Sequence, residues 1–239
     1  DSIYIPATEK QTNLIVITTG VHGIEGYIGS VMLDVFESEI VDKETKEELY
    51  KEFMQDMSEE IERENKIIND LLALVKMDKT ANVMNIQSED INLLVEKCLK
   101  RLRPIAAKHN IEVVFESNCP VTAEVDETKL SLAISNFVEN AIKYNKENGW
   151  IHVTLDADHK NFYLEVEDSG IGIQEDEIER IFERFYRVDK SHSREIGGTG
   201  LGLAIARNAI ILHKGAVKVE SRVGEGTKFT VRVPLVRAV

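Results

Sequence analysis

The run Asn136-Phe-Val-Glu-Asn-Ala-Ile-Lys-Tyr144 sets two amides and an amine, Asn136, Asn140 and Lys143, at i, i+4 and i+7. That spacing puts them on one face of a helix. Phe137 and Ala141, with Ile134 and Val138 on an adjacent strip, supply the packing. Polar groups along so apolar a helix are costly to bury without partners. Amide oxygens suit Mg2+, which keeps several waters and takes other ligands from substrate phosphates. A lysine one turn on suits the phosphates themselves, and Tyr144 offers a ring on which a purine can stack. An ordinary helix whose asparagines cap or face water has the same spacing, so this segment alone leaves both readings open.

Two further runs bear on the choice. In Glu167-Asp168-Ser-Gly-Ile-Gly172 an acid ends a strand and glycines two apart follow it. Such glycines permit a tight turn and close approach of the backbone to a ligand. The Asp168 carboxylate can accept a hydrogen bond from an adenine amino group, which discriminates adenine from guanine. In Gly197-Gly-Thr-Gly-Leu-Gly-Leu203 a glycine-rich turn runs straight into an apolar helix. Backbone amides there can converge on phosphate at the positive helix end. A single turn of this kind is also a common plain connection.

The elements that must position these residues follow from periodicity. Residues 14–19 form a β-branched run that reads as a buried strand, followed by a loop at 21–26 and a short amphipathic helix from Ile28 to Ile40. Residues 46–77 read as one long helix without glycine or proline, striped by Leu49, Phe53, Met57, Ile61, Ile68, Leu72 and Val75. A helix this long and solvated wants a partner helix, from within the chain (the 28–40 helix) or from a second subunit, and a homodimer is the expectation. A second helix is expected over 91–108, with Leu93, Leu94, Cys98, Leu99 and Leu102 inward and Pro104 as a possible kink. Thereafter strands at 112–116, 121–125, 151–155, 163–167, 216–221 and 228–233 mix with helices at 130–144 and 199–213. The fold class this predicts is α+β, a two-layer α/β sandwich with one mixed sheet covered on one face by helices.

Composition narrows the function further. The 239 residues hold 29 Lys and Arg against 42 Asp and Glu, a net charge of -13, so no nucleic-acid partner and no membrane contact by the chain itself are expected. Cys98 and Cys119 have no metal-ligand spacing, and a reduced setting is the simplest reading. No window has the length of a membrane span. The chain reads as cytoplasmic, or as the cytoplasmic part of a membrane sensor.

In this order, the motifs resemble the ATP-binding domain of sensor histidine kinases, within the superfamily that includes gyrase, Hsp90 and MutL. The resemblance covers about residues 82–234 and includes Ile181-Phe-Glu-Arg-Phe-Tyr-Arg187, which looks like the family's phenylalanine motif. It implies ATP and Mg2+ as cofactors and a response regulator as partner. Asn136 and Asn140 would serve Mg2+ and phosphates, Lys143 the phosphates, and Tyr144 the base. Asp168 would hold the adenine amino group, with Gly170 and Gly172 shaping that pocket and Thr227 near the adenine. Gly198, Gly200 and Gly202 would line the phosphates, together with Thr199 and Leu201. Residues from about 184 to 197 would form a mobile lid, with Arg187 touching phosphate. Residues 60–78 resemble the second helix of the kinase dimerisation hairpin.

The front of the chain departs from this pattern. The family carries its phosphoacceptor in a His-Glu-x-x-Thr-Pro box, and no such box occurs here. His109, His152, His159, His192 and His213 lie within or beside the ATP domain, leaving His22 as the only upstream histidine. Gly23, Gly26 and Gly29 follow it, each disfavouring helix by about 1 kcal/mol relative to alanine. Residues 13–26 instead resemble the start of a zinc carboxypeptidase-like family, in which His22 and Glu25 would match a His-x-x-Glu ligand pair. A zinc site needs a third protein ligand, and the kinase pattern takes over by about Asp42. For His22 an inert remnant is preferred to a phosphoacceptor or a metal ligand. The resulting division is 1–42, a truncated carboxypeptidase-like segment; 43–80, a helical dimerisation stem; and 81–239, the ATP-binding domain. The functional reading is a two-component histidine kinase core, self-phosphorylation being doubtful, with a non-catalytic ATP-binding dimerisation module or a remnant metallopeptidase segment as alternatives.

Overall fold

A computed structural model describes residues 2–5, 14–17, 43–79, 84–188 and 199–236. The expected loop at 21–26, the helix at 28–40, and His22, Glu25, His192 and Gly198 lie outside these residues. The chain divides into two compact units, Asp1–Glu60 and Ile61–Val239. In the first, β1 (Ser2–Ile5) and β2 (Leu14–Ile17) pair antiparallel, with Ile3 opposite Val16 and Tyr4 opposite Ile15. The strand at β1 carries the β-branched and aromatic residues that favour pleated backbone, but it is too short to stand out in the sequence.

Helix α1, Lys43–Lys79, crosses from the first unit into the second. At ~55 Å it is far longer than one small domain can cover. The expected apolar stripe is on it, and Phe53, Met57, Ile61, Ile68 and Leu72 are between 40% and 54% exposed. Among the described side chains of the helix, the buried apolar residue is instead Leu74, at 3%. It lies at i+4 from Asp70 and i+8 from Lys66, on a face that a count of hydrophobic residues alone does not select.

The rest of the second unit is the two-layer sandwich. Helix α2, Ile91–Lys108, is capped by Asp90, whose carboxylate accepts from Leu93 N–H at 3.0 Å. Ile91, Leu94, Val95, Cys98, Leu99, Leu102 and Ala106 are buried. Leu93, expected inward, is 54% exposed, because the 3.6-residue repeat that buries its neighbours turns it outward. Pro104 stands within the helix without ending it. The sheet has the order β4-β6-β7-β9-β8, made of Glu112–Ser117, Trp150–Ala157, Asn161–Asp168, Gly226–Pro234 and Ala216–Arg222 respectively. β4 and β6 run parallel and the other neighbours antiparallel, so the sheet is mixed. One expectation fails: β5, Thr122–Val125, is outside this sheet and pairs with β3, Gln87–Asp90. β3 reads Gln-Ser-Glu-Asp, with no apolar residue to mark it as a strand.

Helices α3 (Glu127–Lys143) and α4 (Gly202–Leu212) complete the helical layer, and α2, α3 and α4 bury one core with Ile151, Val153, Phe162, Leu164, Phe229 and Val231 of the sheet. A buried polar knot ties the start of α3 to the end of α4. Asp126 caps α3 by accepting from Lys129 N–H at 3.0 Å, and also binds Lys129 Nζ at 2.6 Å and Asn85 N–H at 3.1 Å. Burial opposes its charge, but the Lys129 and Asn85 hydrogen bonds win and hold the carboxyl below the usual range. The Asp126 N–H donates to His213 Nε2 at 3.0 Å, while His213 Nδ1 lies 2.7 Å from the Ala209 carbonyl oxygen. An acceptor at Nε2 requires the proton on Nδ1, so the imidazole is neutral and joins the two helices. His213→Ala leaves the buried Asp126 N–H without its acceptor, while the Ala209 carbonyl keeps the main-chain N–H of residue 213. It is expected to cost about 1–3 kcal/mol of stability, measured by thermal or urea unfolding.

Candidate nucleotide-binding site

The site lies where α3, the β7 end and the turn before α4 meet. Asp168 closes β7 and is 6% exposed. Its Oδ1 accepts from Gly170 N–H at 2.8 Å and from Thr227 N–H at 3.3 Å. Among the described residues both of these bonds fall on Oδ1, which leaves Oδ2 to accept from a ligand. Burial pushes the Asp168 carboxyl up to about 6, against the two backbone N–H groups that favour the charge. Thr227 is its register partner on β9. Gly170 has no room for a side chain, since a Cβ there would run into the Tyr144 carbonyl oxygen and stand 2.7 Å from Asp168 Oδ1.

Residues not singled out in the sequence hold this turn. Ser169 Oγ accepts from Trp150 N–H at 2.9 Å and donates to Asn145 Oδ1 at 3.0 Å, while Asn145 Nδ2 donates to the Trp150 carbonyl at 3.1 Å. Ser221 Oγ lies 2.9 Å from Thr227 Oγ1 and accepts from Ile173 N–H at 2.8 Å. Ser169 at least sits inside the Asp-Ser-Gly run; Asn145 and Ser221 carry no signal of their own.

Along α3 the chemistry changes from one end to the other. Tyr144 caps the helix, and its carbonyl accepts from Ile171 N–H at 3.0 Å, which sets it beside the Asp168 turn. Lys143 Nζ stands 5.1 Å from the centre of the Tyr144 ring. Burial first, then the cations of Arg187 and Lys66 against the partial relief of Glu139, bring Lys143 down to about 8. A bound anion would reverse this, so the position fits a phosphate. Asn136 Nδ2 donates back to the Leu132 carbonyl at 3.0 Å, which turns Oδ1 the other way, toward α4. A Cβ on Gly202 would stand 2.6 Å from that oxygen, so a larger residue there would push the Asn136 amide out of this position. The half-buried Asn140 amide makes no hydrogen bond among the described residues. Two amide oxygens at one helix face, neither of them hydrogen-bonded among the described residues, fit the oxygen-ligand preference of Mg2+.

The glycine-rich turn and the phenylalanine motif are joined. Gly200 has φ 69, and its carbonyl accepts from Phe185 N–H at 2.9 Å. Phe182 packs edge-on to Phe229 with ring centres 6.4 Å apart, anchoring the motif in the core. Helix α4 begins at Gly202, later than the expected 199, because Thr199–Leu201 form the turn itself. Thr199 Oγ1 accepts from Leu201 N–H at 3.2 Å and donates to Asp70 Oδ2 of α1 at 2.8 Å. Lys66 of α1 pairs with Glu139 at 2.8 Å. These stem contacts had no sequence signal, since charged residues on a long helix ordinarily face water. The structure thus brings Asn136, Asn140, Lys143, Tyr144, Asp168, Gly170, Gly172, Arg187, Thr199, Gly200, Leu201, Gly202 and Thr227 around the meeting point of these elements. Among the described residues no group of three or more His, Cys, Asp or Glu could hold a metal.

Comparison with known proteins now gives this arrangement a class. A family model described as "Histidine kinase-, DNA gyrase B-, and HSP90-like ATPase" matches residues 125–237, and a second, described as "Protein of unknown function (DUF2817)", matches residues 1–51. Sensor protein kinase WalK of Staphylococcus epidermidis is 35% identical over 189 residues, which is 78% of this chain and 31% of that protein. WalK of Staphylococcus aureus is 34% identical over 190 residues, 79% of this chain and 46% of that protein. The chain therefore spans less than half the length of these relatives. The catalytic domain of histidine kinase ThkA is 30% identical with a TM-score of 0.57, covering 64% of this chain and 97% of that one. Full-length ShkA in complex with AMPPNP is 28% identical with a TM-score of 0.69, over 79% of this chain and 39% of that one. ThkA in complex with response regulator protein TrrA is 25% identical with a TM-score of 0.68, over 89% of this chain and 58% of that one.

The fold and the site define an ATP-binding domain of the histidine kinase, gyrase and Hsp90 type. The chain belongs to the sensor histidine kinases, of which it carries the catalytic ATP-binding domain with the helix that precedes it.

Proposed function

We propose that this chain binds Mg-ATP with adenine on the Asp168 turn and phosphates along the Asn136–Asn140–Lys143 face, as the catalytic end of a two-component kinase. The observation that carries the reading is the buried Asp168 carboxylate, which keeps Oδ2 for a ligand beside Tyr144, Gly170 and Thr227. Lys143, crowded by cations, supports the phosphate end, and the AMPPNP complex of ShkA supports the ligand class. Mg2+ would be held by Asn136 and Asn140 together with phosphate oxygens, and would neutralise the charge of the phosphates. Gly198 would line the phosphates beside Thr199 and Gly200. Calorimetric titration with Mg-ATP, and with ATP in chelator, tests this; no heat at millimolar nucleotide would sink it.

The helix α1 is the dimerisation stem in this reading, and the partner of its exposed stripe is a second copy of the chain. Ile68→Glu puts a charge in that stripe and is expected to convert a dimer to a monomer at the same concentration, read by light scattering. A wild type that is already monomeric at high concentration overturns the dimer. A response regulator is the proposed protein partner, supported by the ThkA–TrrA complex. Transfer of phosphate to a histidine of this chain is expected to be weak or absent, because its sequence holds no His-Glu-x-x-Thr-Pro box. The site then serves a histidine elsewhere or acts as a nucleotide-binding module.

A further inference from the structure

Lys66, Asp70 and Leu74 recur at every fourth residue of α1 and so form one face of the stem helix. Each is engaged by the domain. Lys66 pairs with Glu139, which lies on α3 between Asn136 and Lys143, and Leu74 is buried. Asp70, between them, places a carboxylate on the Thr199 hydroxyl, at the turn that opens α4 against Asn136. The middle contact is unusual for a helix surface. It spends a negative charge, half removed from water, on a neutral hydroxyl in the loop where the proposed site would receive phosphate. Burial accordingly raises the Asp70 carboxyl, with the Thr199 bond and Lys66 working the other way. A carboxylate can stand in for a phosphate oxygen: it is anionic, it accepts from the same hydroxyl, and it cannot share that ground with a second anion.

We propose that Asp70 is an internal competitor for the terminal phosphate of ATP, so that ATP must displace the stem helix from the Thr199 turn whereas ADP leaves it docked. This rests on the nucleotide site proposed above and assigns a residue outside that site to the discrimination between tri- and diphosphate. Displacement frees Asp70 from Thr199, loosens the Lys66–Glu139 pair one turn away and uncovers Leu74 one turn beyond. The charge state of the nucleotide is thereby read out as the position of the stem.

The test uses the full chain and two nucleotides. ATP and ADP are titrated calorimetrically, with Mg2+, into wild type, Asp70→Ala and Asp70→Asn, and the melting curves of all three establish that they are folded. Loss of the charge should tighten ATP about fivefold, the size of one partly screened like-charge contact, and leave ADP unchanged. The asparagine variant keeps a hydrogen-bond acceptor for Thr199 and still loses the charge, so it should follow alanine. Hydrogen exchange supplies the structural readout: ATP should raise exchange over residues 66–76 of the wild type, and ADP should not. Unchanged or weaker ATP binding in both variants overturns the proposal, and so does an equal gain for ATP and ADP. Absence of heat with either nucleotide in every protein overturns the site itself, and the competitor with it. Binding by the variants but not by the wild type would support the competition in its strongest form.

Discussion

Asp168→Ala is expected to weaken ATP binding by about 10- to 150-fold, the loss that goes with one hydrogen bond to a charged group of about 1.5–3 kcal/mol. The carboxylate is buried at the end of β7, and its Oδ1 is already committed to Gly170 and Thr227. Asp168→Asn should cost nearly as much. Its single carbonyl oxygen would be taken by those two N–H groups, leaving its NH2 to face the adenine amino group, donor against donor. A pH dependence follows from the same residue. The folded carboxyl sits at about 6 instead of the ordinary 3.8, so the acceptor state is lost as pH falls below about 6. Affinity should then drop toward tenfold per pH unit in the wild type and stay flat in the asparagine variant. Unfolding through this group does not explain such a drop. A carboxyl raised in the folded state contributes stability that is fully present below 3.8 and lost as pH rises through about 6, so acidification favours this part of the fold. Calorimetry between pH 5 and pH 8 checks both points, and equal affinity for wild type and alanine variant would remove Asp168 from base recognition.

The second large effect is a separation of binding from transfer. With labelled γ-phosphate ATP, acid-labile phosphate on the chain should stay near background while nucleotide binds normally. Phosphoryl transfer depends on holding the acceptor imidazole in line with the γ-phosphate, and alignment of this kind contributes about 7–11 kcal/mol to such reactions. Label that accumulates and disappears in His22→Ala, with ATP affinity unchanged, would make His22 the acceptor and overturn this expectation. Label that survives the substitution points to another histidine. His213 is excluded, since it is 4% exposed and both ring nitrogens are engaged, whereas His109, His152 and His159 are exposed.

How far the sequence carried depends on whether an element announces itself through its own side chains. Helices α2 and α3 do: caps at Asp90 and Asp126 open runs with a helical repeat, and the strands β6, β7 and β9 alternate in period two. The Asn136–Lys143 face was legible for the same reason, since three polar residues interrupt an apolar periodicity. β3 was not, because its four polar residues gain their strand conformation from pairing with β5, a contact that no local pattern encodes. Leu93 was misread because apolarity was taken for burial, although its phase on α2 points outward. The largest omission was the inner face of α1. Asp70 and Lys66 look like solvating charges on a long helix, and their partners Thr199 and Glu139 are 129 and 73 residues away.

The pairing of Asp168 with Thr227 across β7 and β9 bears on inhibitor chemistry. These two residues form a rung of the central sheet, fixed by main-chain pairing on a layer whose inner face is fully packed. A flat, uncharged adenine mimic would meet a rigid floor and bind without reorganising the chain, so little affinity is lost to ordering. Its binding would also be indifferent to the stem. A compound that extends from the same floor with an anionic tail would meet Asp70 on Thr199, and its affinity would depend on whether the helix is docked. A matched pair of such molecules, differing only in the tail, would therefore serve as a chemical gauge of whether the helix is docked.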